Sequence, residues 1–305
     1  MRKALALLVG LAACPTGASS APGPGGLRII GAPSAAVEER IRAVAADARD
    51  RLARDLGVEP PEAFEVRVVA DRRAMRAITG DTLGEEVLAV AVPARRLVVL
   101  DRMSLVPGTR DALAPALRHE LVHLALGRFA RPGTDRRPVP LWFEEGVATV
   151  FGARVLALED RELSLRAAAG TLLPLDALGE SFPREAAPMR LAYLEAESAV
   201  RYLRERWGRG APRRVLARLR RGGSFEAALC AETGIKLAEF EAAWARELGR
   251  WERIAGMFVS QRAIFVYAAA VAAVAYALDR RRRRRRLARA EDAAGDASRG
   301  GGQAA

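Results

Sequence analysis

Apolar residues recur at two different spacings in the first hundred residues, and each spacing predicts a different element. Between Ser34 and Leu56 they return every three or four positions, which indicates one amphipathic helix with Ser34 as its cap. Residues 64–70 instead alternate between apolar and polar side chains, as a half-buried strand does. Short apolar runs on either side of Pro93 predict a strand pair with an irregular turn. The predicted strands are 27–30, 64–70, 87–92 and 96–100.

The second half of the chain has the patterns of helices. One helix is predicted to begin by Pro115 and to end at Gly127, and a loop with three prolines follows over residues 128–140. Further helices are expected from Leu141 onward and around 187–207, 212–221, 225–232 and 236–253. Strands near the start and helices after them predict an α+β fold, in which a small N-terminal mixed sheet precedes a helical part.

The first 21 residues have the parts of a secretory signal peptide. A basic start precedes an apolar run over residues 4–13, and the segment ends in small residues at Ala21. The run is too short to cross a bilayer, so cleavage near Ala21 is the favoured interpretation. The residues around Cys14 also resemble a lipobox, in which Cys14 would be lipidated and become the mature N-terminus. Both forms of processing direct the chain out of the cytoplasm.

A second apolar segment lies near the other end of the chain. Residues 263–278 carry no charge, and with the residues before them they predict a transmembrane helix over 254–278. Seven consecutive arginines, Arg280–Arg286, follow, and positive charge stays on the cytoplasmic side of a membrane. The basic tail, 279–305, is therefore expected in the cytoplasm and the domain over 22–253 outside it. A buried helix of a soluble domain is the alternative.

Composition limits the remaining possibilities. Half of the 305 residues are hydrophobic and 28% are charged, which allows a packed core and excludes a wholly disordered chain. Much of the net charge of +12 lies at the two ends, and what remains is too diffuse for a nucleic-acid groove. Two cysteines, Cys14 and Cys230, exclude a disulfide scaffold. We therefore expect an exported domain whose partners do not include nucleic acid.

Both histidines of the chain fall in one pentapeptide, His119-Glu120-Leu121-Val122-His123. Residues four apart lie one turn apart on the same face of a helix, so both imidazoles can reach a single ion. Glu120 lies about 100° round the helix, where it can contact the attacking water without binding the metal. This is the arrangement of zinc hydrolases. Two histidines with a purely structural role are the alternative.

A zinc site of this kind needs a third protein ligand, and residues 140–151 offer Glu144 and Glu145. Adjacent carboxylates on a helix point about 100° apart, so we expect only one of the two to face the metal. Gly146 and Ala148 are small and would let this helix pack closely against the histidine helix. A solvent-facing acidic pair at a helix start, stabilised by the helix dipole, is the alternative.

Together the two motifs resemble the gluzincin zinc metallopeptidases, specifically the peptidase MA-like domains, over roughly residues 60–253. The resemblance implies a zincin-like fold, one bound Zn²⁺ ion and hydrolysis of peptide bonds. In that superfamily the glutamate directly before the glycine of the second motif is the third ligand, which corresponds to Glu145. A downstream tyrosine can donate to the oxyanion in related gluzincins, and Tyr193 is the first candidate here, ahead of Tyr202. Thr149, one helical turn beyond Glu145, is a candidate for orienting that ligand.

Two functions follow as hypotheses. In the first, a membrane-anchored peptidase cleaves a peptide or protein substrate outside the cytoplasm. His119, His123 and Glu145 would bind zinc in this enzyme, and Glu120 would act as its general base. In the second, a non-catalytic module of the same fold binds an envelope protein or peptide. The presence of Glu120 favours the enzyme, because a binding module has no use for a general base.

Overall fold

The structure is a computed structural model, and it describes residues 26–80, 87–105, 112–129, 138–152 and 160–250. The predicted signal peptide, transmembrane helix and basic tail lie outside these residues. Among the helices in the described ranges, none is both long and apolar enough to cross a membrane. Up to Leu248 the described residues belong to one compact unit.

A mixed sheet of four strands forms the N-terminal part of the described unit: β1 (Leu27–Ile30), β2 (Phe64–Val69), β3 (Ala89–Val92) and β4 (Leu97–Asp101). Their order across the sheet is β1-β2-β4-β3. Neighbouring strands in β1, β2 and β4 are parallel, whereas β3 pairs antiparallel with β4 at the edge. The predicted strand pair is confirmed as the β3–β4 hairpin, whose irregular turn contains a left-handed residue, Arg96, with φ of 50°.

Helices form the rest of the described unit, as the sequence predicts. Ser34 caps the first of them, because its hydroxyl accepts a hydrogen bond from the Val37 N–H at 3.3 Å. That helix continues through a π turn at Leu52–Leu56 and ends at Gly57, which is left-handed. The helices are α1 (Ala35–Arg51), α2 (Arg72–Thr79), α3 (Leu113–Leu126), α4 (Leu141–Gly152), α5 (Asp160–Ala169), α6 (Ala186–Trp207), α7 (Ala211–Arg220), α8 (Phe225–Thr233) and α9 (237–250).

Two of these helices, α2 and α5, are absent from the sequence-based prediction. Helix α2 has a side-chain cap, Asp71, and a left-handed glycine, Gly80, at its end. Met75 is its one fully buried residue, and with the partly buried Ala74 and Ile78 it forms an apolar face of barely two turns, too short for periodicity to identify a helix. Helix α5 has two leucines, of which Leu163 is buried and Leu165 is exposed, so it too offers little apolar periodicity.

The helices are layered on the sheet so that α4 is enclosed on two sides. Helix α3 packs on β3 and β4, and α4 lies between α3 and α6. The first turn of α4 is also fixed by aromatic contacts, since Trp142 and Phe143 pack against Phe225 of α8. Trp142 stacks on Phe240 of α9, with ring centroids 6.3 Å apart. Helices α3 and α6, together with the aromatic residues of α8 and α9, therefore determine where α4 lies.

Gly146 permits the close contact between α4 and α6. A Cβ atom at this position would overlap the backbone carbonyl oxygen of Ala196 and lie 2.7 Å from Cγ2 of Val200. Neither neighbour can move away easily, because one is helix backbone and the other is a fully buried side chain. The two helices could not lie at this distance if any side chain occupied position 146.

We expect Gly146→Ala to lower the free energy of unfolding by about 1–3 kcal/mol, as overpacking does in a dense interior. In a helix without this contact, the same change would raise stability by roughly 0.5–1 kcal/mol. Denaturant unfolding of the metal-free full chain measures the difference. Gly179→Ala is the matched control, because a Cβ there would meet only Pro140 at an ordinary 3.8 Å. A Gly146→Ala protein as stable as the control would contradict the packing argument.

Candidate metal centre

The two histidines lie side by side on the part of α3 that faces α4. Their Nε2 atoms are 3.1 Å apart, and their ring centroids are 4.9 Å apart. The helix is apolar around them, with Leu117, Leu121 and Leu124 buried. The side chains of His119 and His123 are only 14% and 13% exposed. The spacing of four residues thus brings both imidazoles to one point, as the sequence predicts.

Helix α4 brings Glu145 to the same point. Its Oε2 atom lies 3.4 Å from Nε2 of His119 and 3.6 Å from Nε2 of His123. The ligand atoms offered by the three residues all lie within 4.8 Å of one another. The same Oε2 atom is buried and makes no hydrogen bond within the described part of the chain. A buried carboxylate oxygen that faces two imidazole nitrogens is a donor set suited to a divalent metal such as zinc.

The charges of these groups are strongly coupled. Burial opposes protonation of His123, but the carboxylates of Glu145 and Glu144 outweigh it and raise the pKa of His123 well above its usual value. Burial likewise favours the neutral form of Glu145, yet the two imidazoles hold the pKa of its carboxyl far below its usual range. The centre is therefore built to keep an anionic carboxylate beside positive charge, which a metal ion supplies as well as a proton does.

Glu144, for which the sequence predicted no contact with the centre, lies against the far side of His123. Its Oε1 atom is 2.8 Å from Nδ1 of His123. An ionised carboxylate can only accept, so Nδ1 carries the proton and donates it to Glu144. In the neutral imidazole this leaves the Nε2 lone pair free for a metal. The adjacent carboxylates of α4 thus contact different nitrogens. Glu145 faces Nε2 of both histidines, and Glu144 accepts from Nδ1 of His123.

The two histidines differ in this respect. The Nδ1 atom of His119 is buried and has no hydrogen-bond partner among the described residues. The orientation of His119 therefore depends on packing, for example against Gly152, where an added Cβ would lie 3.5 Å from the His119 Cβ. His123 is oriented by a charged hydrogen bond in addition to its packing.

Glu120 lies on α3 between the histidines and faces the edge of the sheet. Its Oε2 atom accepts a hydrogen bond from the backbone N–H of Ala91 in β3, at 2.6 Å. The residue is 8% exposed. The side chain is thus held by the edge strand, a contact that the sequence did not predict.

The structure also locates the candidate tyrosines and Thr149. Tyr193, on α6, is 37% exposed, and its ring packs edge-on against Phe182. Its role as an oxyanion donor stays a prediction. Tyr202 packs against Phe240 and a neighbouring tryptophan, within the aromatic core of the helical part. Thr149 is buried in α4, and its orienting role likewise stays a prediction.

Comparison with known families agrees with this geometry. No curated protein sequence matches the chain significantly. The model of one family, described as the peptidase MA superfamily, matches residues 44–249, about two thirds of the chain. The match includes both motifs and extends upstream of residue 60 into α1. On this evidence, and with a histidine pair and a glutamate converging as described, the chain belongs to the peptidase MA superfamily.

Proposed function

We propose that the protein is a zinc-dependent peptidase in which Glu120 is the general base. The observation that carries the proposal is the convergence of three ligand atoms, from His119, His123 and Glu145, beside a buried Glu120. Two imidazoles and one carboxylate are a ligand set of catalytic zinc, which keeps a further position open for water. Membership of the peptidase MA superfamily supports a peptide or protein as the substrate.

Each residue of the centre has a separate task in this proposal. When bound, Zn²⁺ lowers the pKa of a water molecule to about 7 and polarises the scissile carbonyl. His119, His123 and Glu145 hold the ion, and Glu144 keeps the proton of His123 on Nδ1. Glu120 accepts a proton from the attacking water and delivers it to the nitrogen of the leaving amine. Tyr193 is our candidate donor to the oxyanion.

A backbone N–H of β3 positions the carboxylate of Glu120. The Ala91 N–H holds one carboxylate oxygen of Glu120 at 2.6 Å, so the other oxygen is available to receive the proton. A non-catalytic binding module would not need a carboxylate held in this way.

We also propose that the enzyme is a single-pass membrane protein with its catalytic domain outside the cytoplasm. The support is the apolar segment over 254–278, the arginine run that follows it, and the export signal before residue 22. The arginines would hold the C-terminus on the cytoplasmic face, where anionic lipids add about 1 kcal/mol of attraction per residue.

Substitutions separate the metal ligands from the base. We expect His119→Ala, His123→Ala and Glu145→Ala each to lose zinc and activity, because each removes one of three protein bonds to the ion. Glu120→Gln should retain zinc and lose about 10²–10⁴-fold in kcat, equivalent to about 3–5 kcal/mol of barrier. Zinc content by elemental analysis and turnover of a peptide library are the two measurements. Normal turnover by Glu120→Gln would sink the hydrolase mechanism and favour the binding module.

The pair Glu144→Gln and Glu144→Ala tests the hydrogen bond to His123. Glutamine keeps an oxygen that can accept from Nδ1–H, so we expect Glu144→Gln to retain zinc and most activity. Alanine removes the acceptor, and we expect about 10–100-fold weaker zinc binding, measured by competition with a chromophoric chelator. If Glu144→Gln strips the metal while Glu145→Ala keeps it, Glu144 is the third ligand and the assignment of Glu145 is wrong.

A reporter fused to the C-terminus tests the topology. We expect activity from a reporter that works only in the cytoplasm and none from one that works only after export. The matched control carries the export-dependent reporter directly after residue 250, before the predicted membrane segment, where it should be active. Activity of the export-dependent reporter at residue 305 would contradict the proposed orientation.

A further inference from the structure

A small cavity lies behind α4, where the end of α1, the end of α6 and the start of α7 meet. Its volume is about 60 Å³, and its floor is apolar, with Val147 and Phe151 of α4 among the lining residues. Since a cavity needs about 10–15 Å³ to hold one water, this space suits a few waters or one compact ion. We call it the arginine cavity, because Arg51, Arg204 and Arg209 line it.

The arginine cavity has an excess of positive charge. The one acidic residue that lines it, Asp55, is exposed and forms an ion pair with Arg54, with Nε and Oδ1 3.6 Å apart. Within the described part of the chain, Arg204 and Arg209 make no hydrogen bond and no ion pair with a carboxylate. Three arginines thus line a cavity with one carboxylate, which is paired with Arg54, and the guanidinium of Arg51 lies over the Phe151 ring, 5.1 Å from its centroid.

Arg204 is the residue least expected in such surroundings. It is half-buried, and this burial together with the charge of Arg209 lowers the pKa of its guanidinium, against smaller opposing effects of Asp55 and Glu205. A guanidinium partly removed from water normally has acceptors for its N–H groups, because leaving them unpaired costs free energy. Here the described residues supply no such acceptor, so the guanidinium of Arg204 is available to an anion from solution.

The position of these arginines at helix ends explains only part of the pattern. Arg51 and Arg204 lie in the last turns of α1 and α6, where positive charge is favoured by the helix dipole. Arg206 shares the last turn of α6, yet it is exposed and does not line the cavity. The dipole accounts for basic residues at these ends, but not for three of them at one cavity.

We propose that the arginine cavity binds an oxyanion of the phosphate class. The three arginines come from three places in the chain, the end of α1, the end of α6 and the turn that precedes α7, and all of them line one space of ionic size. A tetrahedral phosphate group presents oxygens in several directions and can satisfy several guanidinium groups together. A planar carboxylate with one charge satisfies one of them well.

The cavity lies where a bound anion would stabilise the fold. The floor residue Val147 is two positions after Glu145, and Val200, which also lines the cavity, is the residue that approaches Gly146. An anion here would join α1, α6 and the turn before α7 across the back of α4. Binding should therefore stabilise the fold itself, whether or not the metal centre is loaded.

Thermal unfolding of the detergent-solubilised full chain in inorganic phosphate tests the proposal, with sodium chloride at matched ionic strength as reference. We expect phosphate to raise Tm by several degrees at saturation, because a ligand that binds only the folded state stabilises it. Arg204→Gln should lose this rise and bind phosphate at least tenfold more weakly by calorimetry. Arg206→Gln, the matched control from the same helical turn, should respond like the wild type.

Two further results distinguish loss of the phosphate site from a general loss of stability. In chloride alone, Arg204→Gln should be no less stable than the wild type, because it removes repulsion from Arg209. If Arg204→Gln does not fold, the exposed Arg209→Gln must lose the phosphate response instead. The proposal is overturned if phosphate acts no more strongly than chloride or acetate. It is also overturned if all variants respond alike or if Arg209→Gln responds fully.

Two soluble esters distinguish the source of the phosphate group. Glycerol 3-phosphate is a monoester with two charges, and glycerophosphoglycerol is the headgroup diester of an anionic lipid. Stabilisation by the diester that Arg204→Gln abolishes supports a lipid headgroup as the ligand. Stabilisation by inorganic phosphate or the monoester alone supports a free phosphate metabolite.

Discussion

The metal centre depends on how closely one helix can lie between two others. Helix α4 carries Glu145, the proposed third ligand, and it reaches the histidines only because glycines face both of its neighbours. Gly146 meets the backbone of α6, and Gly152 faces α3, where a Cβ would lie 2.9 Å from the carbonyl oxygen of Pro115. Dense packing is not compressible, so even a methyl group on either side would move Glu145 relative to the imidazoles.

The same closeness concentrates charge in a buried place. A carboxylate at this depth would be costly by itself, but the imidazoles provide compensating charge, as would a bound metal ion. The carboxylate of Glu144 then compensates the remaining N–H of His123. The apolar residues around the pair keep water away and strengthen each of these interactions. Packing and electrostatics are therefore parts of one arrangement, because the first creates the low dielectric on which the second depends.

Much of this could be predicted from the sequence, since it follows from local spacing. A separation of four residues places His119 and His123 on one face of a helix, and the family resemblance assigned Glu145 as the third ligand. The role of Glu144 could not be found in this way, because it depends on which imidazole nitrogen faces which neighbour. The hydrogen bond from Ala91 to Glu120 was missed for a similar reason, since it depends on where the edge strand lies relative to α3.

Contacts between residues far apart in the sequence also could not be predicted. Arg51 and Arg204 are separated by more than a hundred residues, and in the sequence each resembles an ordinary basic residue at the end of a helix. Only the meeting of α1 with α6 behind α4 shows that they share a cavity. Helix α2 was missed because its burial rests on Met75, a signal too short for periodicity to detect.

The enclosure of α4 also determines how the protein would exchange a bound metal ion. Because buried side chains of α3, α6, α8 and α9 hold this helix, the ligand geometry is set when the chain folds and does not wait for an ion. The conformational entropy of the ligand side chains is lost during folding, so an ion would bind to residues that are already in place. Removal of the ion by a chelator should leave a folded protein that regains its metal without a refolding step. The metal would then be an exchangeable component, and its occupancy would follow the supply of ions in the surrounding compartment.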